Sequence, residues 1–328
     1  MPRYVRNSVV LAKIETTYGT DAVPTGAANA VLISNLTVNP LNATNVPRDL
    51  IRGFMGGSDQ LVGSAYSEIS FDVEYQNSGT AGTVAAWDAL LQACGFAAGS
   101  TLTTPSRVEH GFITDYSTWK SLSIYYYDDG LLHKLLGTRG SVSIDLSVGA
   151  RPVFSFKFTG LYGGVSATAN ATPTLTAFKA PLIATDPNTG ALTLGASYAA
   201  GALTGGTEYI SSGLTADLGN SVQFTDLLGT ASATGQTVDV TQREVVGTVE
   251  VDLTAGNEVT FMSNVTTNVT QSIGIVHGTT AGYKMLLFFP SVQFINPKKV
   301  DKNGRRLIGF DMRILPVSGN DEIKLVAL

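Results

Sequence analysis

Between residues 66 and 160, and again between 245 and 316, the chain runs through one order of elements twice. An alternating strand opens each stretch, with Ile69, Phe71, Val73 and Tyr75 on one face in the first and Val249, Val251 and Leu253 in the second. A helical pattern follows, then a strand (Leu122 to Tyr125 against Ile273 to Val276), then a glycine turn at Asp129-Gly130 against His277-Gly278. Lys134 stands opposite Lys284 and Val142 opposite Val292, both 150 positions apart, and Phe154, Phe156 and Phe158 stand opposite Ile308, Phe310 and Met312. Two copies of one strand-rich pattern, each with an apolar face to cover, leave few folds open. The expected class is mainly β: a duplicated β-sandwich, each half with one flanking α-helix. Residues 1–160 form the first unit with an N-terminal arm, 161–219 a Gly/Ala/Thr-rich linker or hairpin, and 220–328 the second unit.

The first helix is expected over residues 83–94, where Val84, Trp87, Leu90, Leu91 and Cys94 share a face, Thr83 serves as N-cap and Gly95 as the stop. The second is expected over residues 257–269, with Val259, Met262, Val265 and Val269 at helical spacing. Residues 39–64 read as a long loop carrying Pro40, Pro47, Arg48 and Arg52. Loops of this length inside compact domains are usually functional or disordered. Arg48 and Arg52 are the candidates for a contact between subunits.

Composition excludes several classes. Charged residues make up 14% of the chain, against roughly 25% in an average soluble domain. Short polar side chains on the surface suit a protein that buries much of itself against copies, since long charged ones cost entropy and desolvation. With 21 basic and 26 acidic residues, the chain lacks the cation excess that duplex binding requires. Cys94 is the sole cysteine, so no intrachain disulfide forms. No stretch reaches the ~18 apolar residues of a membrane span, and Lys13 and Glu15 interrupt the only candidate for a signal core. Synthesis in a cytoplasm without membrane insertion is expected, and the five N-x-Thr sequons are then incidental.

No catalytic constellation is present. His110, His133 and His277 lack metal-ligand spacing, and no nucleophile elbow, phosphate loop or C-x-x-C occurs. Asp186 to Gly190 and Asp301 to Gly304 read as turns rather than calcium loops, because neither is followed by the bidentate glutamate. The expectation is a non-enzyme without cofactor or metal. What stands out is the polar strand faces: Glu68, Asp72 and Glu74, then Asp145, then Glu250 and Asp252. Singly, each is an ordinary solvated face. Asp72 and Glu74 match Glu250 and Asp252 in the two halves, which points to one shared surface, with Lys157, Asp311 and Arg313 on strands beside it. The competing class is a carbohydrate-binding or adhesive β-sandwich module of a virion or cell surface. It would need exposed aromatics near a loop cluster, whereas Tyr125, Tyr126 and Tyr127 are consecutive in one strand.

The opening Ala12-Lys-Ile-Glu-Thr-Thr-Tyr-Gly-Thr-Asp-Ala-Val-Pro-Thr-Gly26 resembles the start of major tail tube proteins of long non-contractile-tailed bacteriophages. The resemblance continues through Arg48…Arg52-Gly53, Glu68-Ile-Ser-Phe-Asp-Val-Glu74, Ala177-Phe-Lys-Ala-Pro181 and Leu218-Gly-Asn220. It extends to Gly274-Ile-Val-His-Gly-Thr-Thr-Ala-Gly282 and Arg313-Ile-Leu-Pro…Asp321-Glu. It implies a tail-tube β-sandwich assembled into stacked rings around a hollow bore, in the virion tail, with no catalytic residues. Implied partners are other copies of the chain, tail terminator and tail tip proteins at the tube ends, and tape measure protein and DNA in the lumen. If each half is one tube unit, three chains close a ring of pseudo-sixfold symmetry; a hexamer is the alternative. Asp72, Glu74, Asp145, Glu250 and Asp252 are then expected to face the lumen.

Overall fold

A computed structural model describes residues 2–229 and 235–328. The protein is mainly β, with 51% of residues in strands and 8% in helices. The first half contains β1 (Ser8–Ile14), α1 (Gly26–Asn29), β2 (Ala30–Val31), β3 (Ser34–Pro47), β4 (Gln60–Glu74) and α2 (Asp88–Ala93). It continues with β5 (Ser100–Thr103), β6 (Ser106–His110), β7 (Leu122–Asp128), β8 (Leu131–Asp145) and β9 (Val153–Ala167). Next come β10 (Leu192–Leu194), β11 (Ser197–Ala199), β12 (Ala202–Thr204), β13 (Thr207–Tyr209), β14 (Ser211–Asp217), β15 (Ser221–Asp226) and β16 (Gln236–Gln242). The chain ends with β17 (Val246–Val251), α3 (Ala255–Thr266), β18 (Thr270–His277), β19 (Met285–Lys302), β20 (Arg305–Ile314) and β21 (Lys324–Ala327).

Among the described residues all strand pairings are antiparallel. In the first half they run β1-β7-β8-β9-β4-β3. In the second they run β10-β18-β19-β20-β17-β14. Strand for strand, the order is the same. Residues 161–219, expected as a linker or single hairpin, therefore hold the end of β9 and the five strands β10–β14, two of which belong to this second ladder. Most of these strands span three residues, too few to show alternation, and pairing rather than local sequence makes them strands: β14 with β17, β10 with β18 and β13, and β11 with β12. The two hairpin-bearing edges also share a bulge. Asn35 enters β3 at φ 51, and Gly213 enters β14 at φ 115.

The equivalence differs from the uniform 150-position offset read from sequence. Asp72 and Glu250 are 178 positions apart, whereas Phe156 and Phe310 are 154 apart. Lys134 pairs with Tyr125, while Lys284 lies just outside β19.

The halves meet where β8 pairs with β14, Ser143, Ile144 and Asp145 lying opposite Asp217, Ala216 and Thr215. This joins β3-β4-β9-β8 to β14-β17-β20-β19 in one ladder. Strand β21 adds a second joint, pairing with β19 on one side and β6 on the other. One face of the long ladder is apolar: Val73, Phe154, Ile144, Ala216, Met312 and Phe294 are all buried, in one contiguous core. Removal of each large side chain from water contributes ~1.5–3 kcal/mol. Helices cap that core. Trp87, just before α2, packs on Phe154 at 5.1 Å, and Phe261 of α3 packs on Phe294 and Phe310 at 5.9 and 5.8 Å.

Both helices differ from their expected bounds. The first covers only Asp88–Ala93, because the Trp87 indole donates to the Gln76 carbonyl at 2.7 Å and holds the preceding residues in turns. Val84 is exposed and Thr83 caps nothing, while Gly95 (φ 97) follows the helix as expected. The second begins earlier, with the Thr254 side chain accepting from the Asn257 N–H at 3.3 Å. Phe261 is its buried residue; Val259 and Val269 face outward.

Candidate assembly surface

The other face of the long ladder is polar and crosses both halves. Along one row Glu74 lies opposite Val153, Val153 opposite Asp145, Asp145 opposite Thr215, Thr215 opposite Thr248 and Thr248 opposite Asp311. Along the next, Asp72 lies opposite Ser155, Ser155 opposite Ser143 and Ser143 opposite Asp217. Strict alternation on each strand places these side chains away from the core. Hydroxyls bridge the strands, as in the 2.8 Å contact between Thr215 Oγ1 and Thr248 Oγ1.

The five expected carboxylates all lie on this face or at its margin, and all are half-buried. Each has a partner. Asp72 accepts from Ser155 Oγ and Asn35 Nδ2, both at 2.6 Å. Glu250 accepts from Ser212 Oγ, at the position in β14 that Ser34 holds in β3. Asp145 accepts from the Ser147 N–H and hydroxyl at 2.9 and 2.5 Å. Glu74 pairs with Arg151 at 2.9 Å, and Asp252, just beyond β17, pairs with Arg305. Arg151 and Arg305 both sit where a β-hairpin returns, before β9 and at the start of β20. Sequence reading missed them, although both are 154 positions apart like the phenylalanines they precede.

The face is thus less acidic than its strands suggest. Glu74 and Asp252 pair with arginine; Asp72 and Glu250 are held by neutral hydroxyl and amide donors, with no ion pair to either among the described residues. Asp311 pairs with Lys298 at 3.5 Å, and Arg313 with Glu244.

Residues 39–64 form a hairpin arm rather than an irregular loop, since β3 and β4 remain paired out to Pro47 and Gln60. Arg48 and Arg52 lie at its end, where both approach Asp59, at 2.9 and 3.7 Å. Leu41, Val46, Leu50, Ile51, Phe54 and Met55 on this arm are exposed. Tyr125 and Tyr127 are buried, and the Tyr125 hydroxyl donates to Asp21 at 2.6 Å. Among the described residues no three His, Cys, Asp or Glu side chains form a metal-holding group, and no helix is long and apolar enough to cross a membrane. His277 is enclosed: Nε2–H donates to the Leu182 carbonyl at 3.2 Å and Nδ1 accepts from Thr189 at 2.9 Å.

The polar sheet face thus runs through two like-ordered halves, with an apolar arm at one end. The family model for phage tail tube proteins matches residues 6–324. The chain belongs to the phage tail tube protein family. A search of curated proteins gave no match. A tail tube protein is a structural component of the virion tail, and the family implies self-assembly into a tube.

Proposed function

We propose that this tail tube protein is a tandem of two tube units that closes a ring of three chains, the rings stacking into a tube whose bore carries DNA. The units are residues 1–167 and about 182–328, each contributing four strands to the polar ladder. The observation that carries the reading is the β8–β14 junction, which continues one sheet from unit to unit with its polar face unbroken. Heterologous contacts of this kind close rings. A ring of six chains is the alternative, and class averages of the assembled protein by electron microscopy distinguish the two. Chains that stay monomeric at high concentration, and are absent from purified virions, would overturn the assembly.

The polar face lines the bore in this reading, with Asp72, Glu74, Asp145, Glu250 and Asp252 toward the lumen. Duplex DNA carries one negative charge per ~1.7 Å, so a basic wall would bind it and slow its passage. Hydroxyls and carboxylates offer weak, replaceable hydrogen bonds and mild repulsion instead. The charge comes from Asp72 and Glu250 more than from Glu74 and Asp252, whose arginine partners offset them. Replacing all four by lysine is expected to leave tubes that assemble but deliver DNA poorly. Normal infection by such virions, or a tube map with these side chains outside, removes the lumen assignment. Tape measure protein shares the bore, terminator and tip proteins occupy the tube ends, and the chain is made in the host cytoplasm before it joins the tail.

A further inference from the structure

The junction inside the chain has two halves that recur, unused, at its outer edges. Strand β14 offers Thr215, Ala216 and Asp217 to β8; the same positions of β3 are Thr37, Val38 and Asn39, judged by their partners Ser70, Ile69 and Glu68 on β4 against Thr248, Gly247 and Val246 on β17. Strand β8 offers Ser143, Ile144 and Asp145; the same positions of β19 are Lys298, Lys299 and Val300, judged by Ser155 and Phe154 on β9 against Gly309 and Ile308 on β20. Among the described residues β3 pairs only with β4, and β19 from Phe294 onward only with β20.

Burial marks the missing neighbour. Leu214 and Ala216 are each 1% exposed, whereas Leu36 and Val38, at the same positions of β3, are only partly buried. The hairpins that follow these edges differ in the same sense. Strands β15 and β16 fold back onto the first half. Phe224 stacks on Tyr66 at 5.0 Å, Arg139 reaches the Val238 carbonyl at 3.2 Å and Asp239 at 2.5 Å, and the Tyr18 hydroxyl accepts from the Val238 N–H at 2.6 Å. Residues 40–67 form the corresponding hairpin, which meets the chain's other half at its base, through Ser64 to Asp226 and Tyr66 to Phe224, and is bare beyond it: Val46, in the place of Phe224, is 51% exposed, and Val62, in the place of half-buried Val240, is 66% exposed.

We propose that a second copy of this chain docks by repeating that junction, β3 of one chain pairing antiparallel with β19 of the next in the register Thr37–Val300, Val38–Lys299 and Asn39–Lys298. The arm 40–67 then lies across the neighbour's second half, near Gln293, which holds the place of Arg139. The proposal rests on the ring reading above and adds to it the edges, the register and the head-to-tail polarity. Charge agrees with it. Lys298 comes into the row of Asn39 and Glu68, so the lysine meets a carboxylate on the neighbouring chain, as opposite charges across strands favour. The same lysines keep the free edge from indiscriminate pairing.

Asn39 and Lys298 are both exposed, and Cys94, the one native thiol, is buried, so added surface thiols can be read without interference. The full chain carrying Asn39→Cys and Lys298→Cys together is allowed to assemble and then oxidised with oxidised glutathione, which accepts the two electrons and two protons lost by each thiol pair. Covalent ladders ending at the closed ring are expected on a non-reducing gel. Asn39→Cys alone and Lys298→Cys alone should give none, their mixture should give dimers, and Asn39→Cys with the out-of-register Val300→Cys should cross-link at least tenfold more slowly. Tubes that form with no cross-link, or cross-links in Asn39→Cys alone, overturn the proposed edges while leaving the tube reading intact. Absence of both tubes and cross-links defeats the two together. Val62→Asp serves as a second variant on the exposed arm: loss of assembly with an unchanged melting temperature is expected, and unaltered assembly removes the arm from the interface.

Discussion

Strands β15 and β16, which lie between β14 and β17, and the arm on the corresponding strands β3 and β4 end in opposite surroundings. The first is held by Arg139, Tyr18 and Tyr66 of the other half. The second meets that hairpin only at its base, where Tyr66 lies, and keeps Val46, Ile51, Phe54, Met55, Leu61 and Val62 in solvent. The arm continues β3 and β4 in one sheet, whereas β14 ends at Asp217, Gly219 turns the chain at φ 61, and β15 and β16 pair separately against the neighbouring unit. Exposed apolar patches on this scale mark interaction sites, and the docked hairpin displays what kind of site it is.

The largest effects test whether the halves behave as one body. Phe156 and Phe310 occupy matching places in the two ladders and are each 1% exposed. Changing either to alanine should cost about 3–5 kcal/mol. Because β8–β14 and β21 tie the halves together, calorimetry should show one transition moving down in both variants. Two resolved transitions, each sensitive to its own phenylalanine, would show that the halves unfold separately.

Next in size is the contact that distinguishes the hairpins. Arg139→Ala removes two hydrogen bonds and a cation stacked over Tyr18 at 5.0 Å, and should lower stability by about 1–2 kcal/mol. Hydrogen exchange should speed up across residues 221–226 and 236–242. Gln293→Ala, at the matching place in the second half, should change the isolated chain by less than about 0.5 kcal/mol yet weaken assembly. If it destabilises the single chain as Arg139→Ala does, Gln293 supports the fold rather than a neighbour.

Smaller still is the double change of Arg48 and Arg52 to alanine. Their pairs with Asp59 are exposed, and such pairs contribute ~0.2–1 kcal/mol. Sedimentation of the assembled protein should fall more than its melting temperature. Equal loss of both would make the arginines simple supports of the arm.

Much of this was legible in sequence, for identifiable reasons. Strict alternation at Ile69, Phe71, Val73 and Tyr75 fixed which face of β4 enters the core, and the structure buries all four. The polar faces followed from the same period. Their pairing state did not: Arg151 and Arg305 reach Glu74 and Asp252 across hairpins whose geometry no local pattern carries. The strands at residues 192–209 escaped because three-residue segments have no period to read, and Gly213 interrupts the alternation at the start of β14. Matching the halves by one offset failed for a related reason. Connections of different length separate β4 from β8 and β17 from β19, so the spacing is constant only within each hairpin. The helix at residues 83–94 was overextended because Val84 and Trp87 fit the helical spacing, while the bond from Trp87 to Gln76 that stops the turn is tertiary.

The smallest effect compares one histidine from each half. Burial is the main cause that lowers the imidazole pKa of both His133 and His277 below the ordinary 6.5. For His133, Asp128 opposes that shift and Arg3 reinforces it; for His277, the Leu182 carbonyl opposes it. A group whose folded pKa is depressed resists protonation in the native state, while the unfolded chain takes up its proton near the ordinary value. Stability is therefore complete above pH 6.5 and declines as the pH falls from there toward the folded values. The melting temperature should drop on going from pH 7.5 to pH 5.5. His277 has no solvent exposure and both ring nitrogens are engaged, whereas His133 is half-buried and stacks on Tyr126 at 5.7 Å. Water can screen the charge at His133 but not at His277. His277→Gln should accordingly flatten the pH dependence more than His133→Gln, even though it lowers stability at pH 7.5. An unchanged slope in His277→Gln would assign the dependence to the carboxylates instead.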